Sequence, residues 1–175
     1  MRVLLYPDPR LRRRAEKIPS SAFGTPGIRN LAQALANCLA ALEREMGDVL
    51  ACTQVEIDPP WRVLALRTPR GIAVMCNPEI TSHENEVVEF EMSFSFLSTP
   101  VQLLAPRKLT VQYRTPEGER REVECDPTGA RAVWQGCESL EGKLVIDRLA
   151  PLQKLVFASK YRRALDEKVV PVGAS

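Results

Sequence analysis

The chain has one histidine, His83, among its 175 residues. A metallohydrolase that keeps two imidazoles one helical turn apart is excluded by that count alone. His83 itself lies in the polar stretch "TSHENE", which reads as an exposed turn or loop and not as a site. No C-x-x-C pair occurs among the five scattered cysteines, Cys38, Cys52, Cys76, Cys125 and Cys137. Their odd number and spacing fit neither a disulfide framework nor a zinc site, so each is expected to be a reduced, small, buried apolar residue. Charge of one sign is missing too: 24 Lys plus Arg stand against 22 Asp plus Glu. A net +2 gives no field that argues for DNA or an anionic membrane surface. Long hydrophobic runs are absent as well. The apolar run before Pro7 is four residues, too short for a secretory core, and no later run reaches membrane-spanning length. A cytoplasmic protein without a membrane partner is expected.

What is present reads as one domain over residues 1–175, of α+β class, since no repeat, low-complexity segment or long linker divides it. In "PGIRNLAQALANCLAALEREMG", Ile28, Leu31, Leu35, Leu39 and Leu42 recur three and four residues apart. That period predicts an amphipathic helix over 26–47 whose apolar stripe covers a sheet. The short runs "VLACTQV", "RVLALRT" and "IAVMCNPEI", broken by "IDPP" and "TPRG", predict strands. Two further strand segments are expected in "EVVEFEMSF" and in "KLTVQYRTPEGERREVEC", the latter a hairpin around "PEGE". The pattern turns helical again over 130–141 and from about 151 to 168.

Several landmarks then fall in the order and spacing of one family. "YPDPRLRRRAEKI" resembles the entry segment of the peptide deformylases, a strand and turn. "GDVLACTQV" is similar to their first motif, Gly-x-Gly-x-Ala-Ala-x-Gln. "NPEI" resembles the Asn-Pro before their central hairpin, "FLSTP" the tail of their Glu-Gly-Cys-Leu-Ser motif, and "GKLVIDRLAPL" the run after their metal-binding helix. The resemblance spans nearly the whole chain. It implies a peptide-deformylase-like fold, antiparallel strands around a central helix with further helices at the two ends of the chain.

It also implies a divalent metal held by one Cys and by two His of a Gln-His-Glu-x-x-His helix. Carried over residue by residue, the Cys position is Phe96, preceded by Phe94 and Ser95 and followed by Leu97. The helix string becomes Trp134-Gln135-Gly136-Cys137-Glu138-Ser139, so Gln135 and Ser139 stand at the ligand positions and Gly136 at the acid/base position. An amide and a hydroxyl are poor ligands for iron, nickel or zinc. Without such an ion, water stays near a pKa of about 16 instead of falling to about 7, and hydroxide attack on a formyl carbonyl loses its nucleophile. Gln54 keeps the position whose amide would stabilise an oxyanion, and equally suits a buried Gln bonded to backbone. Gly47 is kept, while Val49 replaces the motif's second glycine and narrows the approach to the groove. "STPVQLLAPR" reads as a groove loop about one residue shorter than the family's. Cys137 beside Glu138 invites a thiol nucleophile but has no histidine base, and a carboxylate neighbour raises a thiol pKa. Glu138 reads as a surface or hydrogen-bonding carboxylate, Trp134 as core, and the basic runs "RLRRR" and "KYRRALDEK" as solvated faces with an RNA or ribosome contact as the sharper alternative.

The expectation is therefore a peptide-deformylase-like protein that does not deformylate. It would bind a peptide, a ribosomal surface or a protein partner without a cofactor, through Gly47, Val49, Gln54, Phe94, Phe96, Leu97, Cys137 and Glu138. The alternative is an active or altered metallo- or thiol hydrolase acting on N-formylmethionyl peptides.

Overall fold

The computed structural model describes residues 4–46, 50–53, 60–91 and 101–168. Its elements in chain order are α1 (Pro26–Met46), β1 (Ala51–Cys52), β2 (Val63–Thr68), β3 (Gly71–Glu91), β4 (Val101–Arg114), β5 (Arg120–Cys125), α2 (Pro127–Leu140) and α3 (Pro151–Lys168). The strands form an antiparallel meander in the order β1-β2-β3-β4-β5.

The run "VLAL" of β2 explains the layering. Each of its four residues is buried, and alternate side chains point to opposite faces. Val63 and Ala65 join Ile28, Leu35 and Leu39 of α1 on one face, whereas Leu64 and Leu66 join Ala130, Val133, Cys137 and Leu140 of α2 on the other. The sheet is thus held between two helices, which is the α+β arrangement expected. The third apolar cluster collects Phe157 and Tyr161 of α3 with Leu4, Leu11, Val101, Leu103, Leu144 and Leu149. Tyr161 Oη donates to the Tyr6 carbonyl at 2.8 Å, which fixes α3 against the N-terminal arm. Among the described residues no helix is long and apolar enough to cross a membrane.

Three sequence expectations need correction. "IAVMCNPEI" and "EVVEFEMSF" are not separate strands, because β3 runs unbroken through Gly71–Glu91 and "TSHENE" is strand interior. His83 pairs with Leu109 and Glu84 with Lys108. A polar composition is compatible with pairing here because residues 81–86 are exposed, and irregularities after Cys76 and Ile80 re-aim the strand. The segment read as a loop after "STP" is likewise strand from Val101, with Leu103, Leu104 and Ala105 opposite Glu89, Val88 and Val87. Of the arm read as strand and turn, the turn is there, a 3-10 turn at Pro9–Arg12 capped by the Asp8 carboxylate accepting from Arg10 N at 2.8 Å, while the described residues before it form no strand.

Asn77 of "NPEI" has φ 53°, a left-handed conformation that asparagine tolerates. From there its side chain accepts from Ile18 N and donates to Ile18 O, both at 2.9 Å, and so ties the N-terminal arm to the sheet. The basic run is engaged rather than free. Arg10 pairs with Asp8, Arg12 with Asp147 and Arg14 with Glu141.

Candidate functional site

Helix α2 carries the residues on which the sequence reading turned. It begins where Asp126 accepts from Gly129 N at 2.7 Å with Pro127 at the first helical position. It stops at Leu140, and Gly142 follows at φ +74° with its Cα against the Arg12 carbonyl, where a Cβ would lie 2.4 Å from that oxygen. The expected helix over 130–141 thus starts one turn earlier.

Gln135 and Ser139 are half-buried one turn apart on this helix. Gly136 and Cys137 between them are buried against the sheet. Gly136 is the informative position. A Cβ built there would meet Leu64 Cδ1 at 2.8 Å and Cδ2 at 3.3 Å, with Thr53 Cγ2 at 3.5 Å. Leu64 is fully buried, so its side chain is hemmed in on the helix side by Gly136 and laterally by the rest of that cluster. Any side chain at 136 would therefore press its Cβ on a core leucine.

Cys137 has little of a nucleophile's environment. Burial pushes its thiol up to about 11, an effect the nearby Arg62 guanidinium opposes and Glu141 reinforces. Glu138 is the hydrogen-bonding carboxylate that was expected: it accepts from Arg148 Nη1 at 2.9 Å, with both side chains about four-fifths buried (22% and 21% exposed). Arg148 also donates to the Leu104 carbonyl, which clamps the 3-10 turn Val145–Arg148 across α2 and β4. On the neighbouring turn, Glu141 receives Arg62 and Arg14, and Arg62 Nε donates to Pro78 O at 3.0 Å.

His83 is not remote from this helix. Its ring meets Trp134 edge to face, centroids 4.8 Å apart at 69°, so β3 brings the one imidazole to the residue beside Gln135. Trp134 is partly buried against the cluster under α2, and its indole Nε1 is buried with no hydrogen-bond partner among the described residues. The sequence contained no signal for this contact, because it depends on the strand continuity that the polar composition concealed. Leu64 was missed for the same kind of reason: within "RVLALRT" nothing distinguishes the leucine that meets Gly136 from its neighbours.

Gly47, Val49, Gln54, Phe94, Phe96 and Leu97 lie outside the described residues. Of the residues named from sequence, the structure therefore brings together Gln135, Gly136, Cys137, Glu138 and Ser139 on α2. Among the described residues no group of three or more His, Cys, Asp and Glu side chains is arranged to hold a metal ion.

Comparisons with known proteins agree with this architecture. The profile of the family described as Polypeptide deformylase matches residues 1–155. A peptide deformylase of Stenotrophomonas maltophilia (strain R551-3) is 28% identical over 159 residues, covering 90% of this chain and 92% of that protein. One from Thermotoga sp. (strain RQ2) is 30% identical over 161 residues, covering 91% and 93%. The crystal structure of a peptide deformylase from Legionella pneumophila superposes with a TM-score of 0.84 over 97% of this chain and 98% of that one. At 19% identity that last likeness is one of fold.

Proposed function

This chain belongs to the polypeptide deformylase family, and from that membership we propose that it is a cytoplasmic, single-domain member that does not deformylate and serves instead as a binding protein. The observation that carries the reading is the contact of Leu64 with Gly136. At the position where the family resemblance calls for an acid/base glutamate, the backbone bears no side chain and a buried leucine fills the space. The flanking donors support it. Gln135 and Ser139, an amide and a hydroxyl one turn apart, do not fit iron, nickel or zinc, which take imidazole and thiolate in such sites. A thiol route through Cys137 is disfavoured by its burial and raised pKa, since the attacking species is the thiolate.

The partner we infer is a peptide, a protein or a ribosomal surface, held by the family's former groove. By family position Gly47, Val49, Gln54, Phe94, Phe96 and Leu97 are the candidate binding residues together with Glu138, Phe94 and Phe96 being the apolar ones; Cys137, buried against the sheet, is not available to a partner.

The test is elemental analysis of anaerobically purified protein together with hydrolysis of an N-formylmethionyl peptide after iron or nickel is added. Sub-stoichiometric metal and no turnover are expected. Near-stoichiometric metal with turnover abolished by a chelator would overturn the reading. Saturable binding of a labelled N-formylmethionyl peptide, or salt-resistant co-sedimentation with ribosomes, is the expected sign of the binding role, and failure of both would remove it.

A further inference from the structure

The N-terminal arm and the sheet enclose a recess away from α2. Asn77 holds Ile18 against the sheet, and a cavity of about 730 Å³ opens between the arm at 17–20 and β3, β4 and β5. That volume is in the range of small-molecule sites. Arg114 on its wall is the β4 partner of Cys76, and its guanidinium lies 5.3 Å from the ring centroid of Phe23. Cys76 and Phe23 both belong to the cluster that α1 buries, so Arg114 projects from the face of the sheet opposite α2.

The charges around the recess do not cancel. Lys17, Arg114, Arg120 and Arg121 line it with only two carboxylates, Glu79 and Glu122. Glu79 is engaged by Lys17 at 3.7 Å, and Glu122 accepts from Gln112 Nε2 at 2.6 Å. Arg121 pairs with Glu119. Arg114 and Arg120 have no carboxylate partner among the described residues. They are direct partners in the β4–β5 register, so two cations stand opposite one another on one face, which by itself destabilises the pairing. Arg114 is half-buried and oriented by the Phe23 ring and by Nη1 donating to Gly118 O at 3.4 Å. Arg120 is exposed beside it.

We propose that this recess binds an organic phosphate monoester, with Arg114 and Arg120 clamping the phosphoryl oxygens. A phosphate monoester carries a charge of about −1.5 to −2 at neutral pH, which matches two guanidinium groups where a single carboxylate would leave one unmatched. Each guanidinium fork also presents parallel N–H donors to two oxygens of one group. The bound anion turns a cross-strand repulsion into two attractions, and the rest of the cavity leaves room for a body such as a monosaccharide. The inference is independent of whether the chain deformylates.

The experiment titrates ribose 5-phosphate into the full-length chain at low ionic strength by calorimetry, with ribose and succinate as controls. Expected are saturable binding of ribose 5-phosphate, none of ribose, weaker binding of succinate, and a rise in Tm with ribose 5-phosphate. Arg114→Gln and Arg120→Gln should each weaken binding about tenfold or more. Arg70→Gln, which removes an exposed arginine from the β2–β3 turn, should leave it unchanged. Arg120→Glu separates binding from folding, because it places opposite charges in register: its urea midpoint should rise while binding is lost. The absence of saturable binding, equal weakening by Arg70→Gln, succinate bound as tightly as ribose 5-phosphate, or Arg120→Glu with unchanged affinity or a lowered midpoint would each overturn the proposal.

Discussion

Substituting Gly136 by alanine separates an occupied site from an open one. On an exposed helix this change stabilises by about 1 kcal/mol, because alanine loses less backbone freedom. Here the new methyl would lie 2.8 Å from Leu64 Cδ1, roughly 1 Å inside the ordinary carbon contact of about 3.5–4.0 Å. Leu64 is 0% exposed and cannot swing into solvent. Overpacking of this kind costs about 1–3 kcal/mol, so Gly136→Ala should range from near neutral to about 2 kcal/mol destabilising once the helical gain is subtracted. The sharper quantity is the coupling. Leu64→Ala alone should cost about 2–5 kcal/mol through lost burial and a cavity, and in that background Gly136→Ala should become stabilising by about 1 kcal/mol. Urea unfolding of the four proteins of the cycle, with the slopes checked for constancy, should give a coupling of about 1–3 kcal/mol. Gly136→Glu should be worse than Gly136→Ala, because it adds the desolvation of a carboxylate to the same overlap. A gain from Gly136→Ala of the same size in both backgrounds would refute the claim that Leu64 fills the space at 136, and with it the main support for a non-catalytic site.

Cys137, held protonated at about 11 by burial, should react with iodoacetamide at pH 8 at least about tenfold more slowly than in the unfolded chain; alkylation at the unfolded rate would revive the thiol-hydrolase alternative. Asp126→Ala removes the cap on Gly129 N and should cost about 1 kcal/mol by calorimetric or urea unfolding; no change would show that solvent caps α2 as well. Stability should also depend on pH at both extremes, measured as the urea midpoint. Cys76, Cys125 and Cys137 have folded pKa values above their ordinary 9.0, so they bind protons more tightly when folded. Their contribution is complete below about pH 9 and is lost as the pH rises through 11 to 12. Asp8, lowered to about 2 by its hydrogen bonds from Arg10, and Asp147, lowered by Arg12, act in the opposite direction. Their contribution is present above about pH 4 and is lost as the pH falls toward 2. A midpoint flat from pH 9 to 12 would contradict the burial of those thiols.

Elements with a local cause could be read from the chain alone. The three-and-four spacing of Ile28, Leu31, Leu35, Leu39 and Leu42 specifies α1 because a helix of that period buries one stripe. The hairpin of β4 and β5 was legible from "PEGE", where Gly118 adopts φ +95° and its N–H bonds Thr115 O at 2.8 Å. The residue types at 135, 136 and 139 were equally plain, and so was the family resemblance that gave them meaning. The continuity of β3 was not legible, because a solvent-exposed strand tolerates the polar residues that also mark loops, and its pairing with β4 is a property of both segments.

Residue identity and local periodicity established which side chains this protein has for chemistry, and that two imidazoles are not among them. Three-dimensional packing set what surrounds those side chains. Leu64 against Gly136 and His83 against Trp134 are both contacts between segments distant in the chain. Such contacts depend on how helices and sheet faces come together, which no local pattern encodes, and they decide whether a position faces a core side chain or a ring.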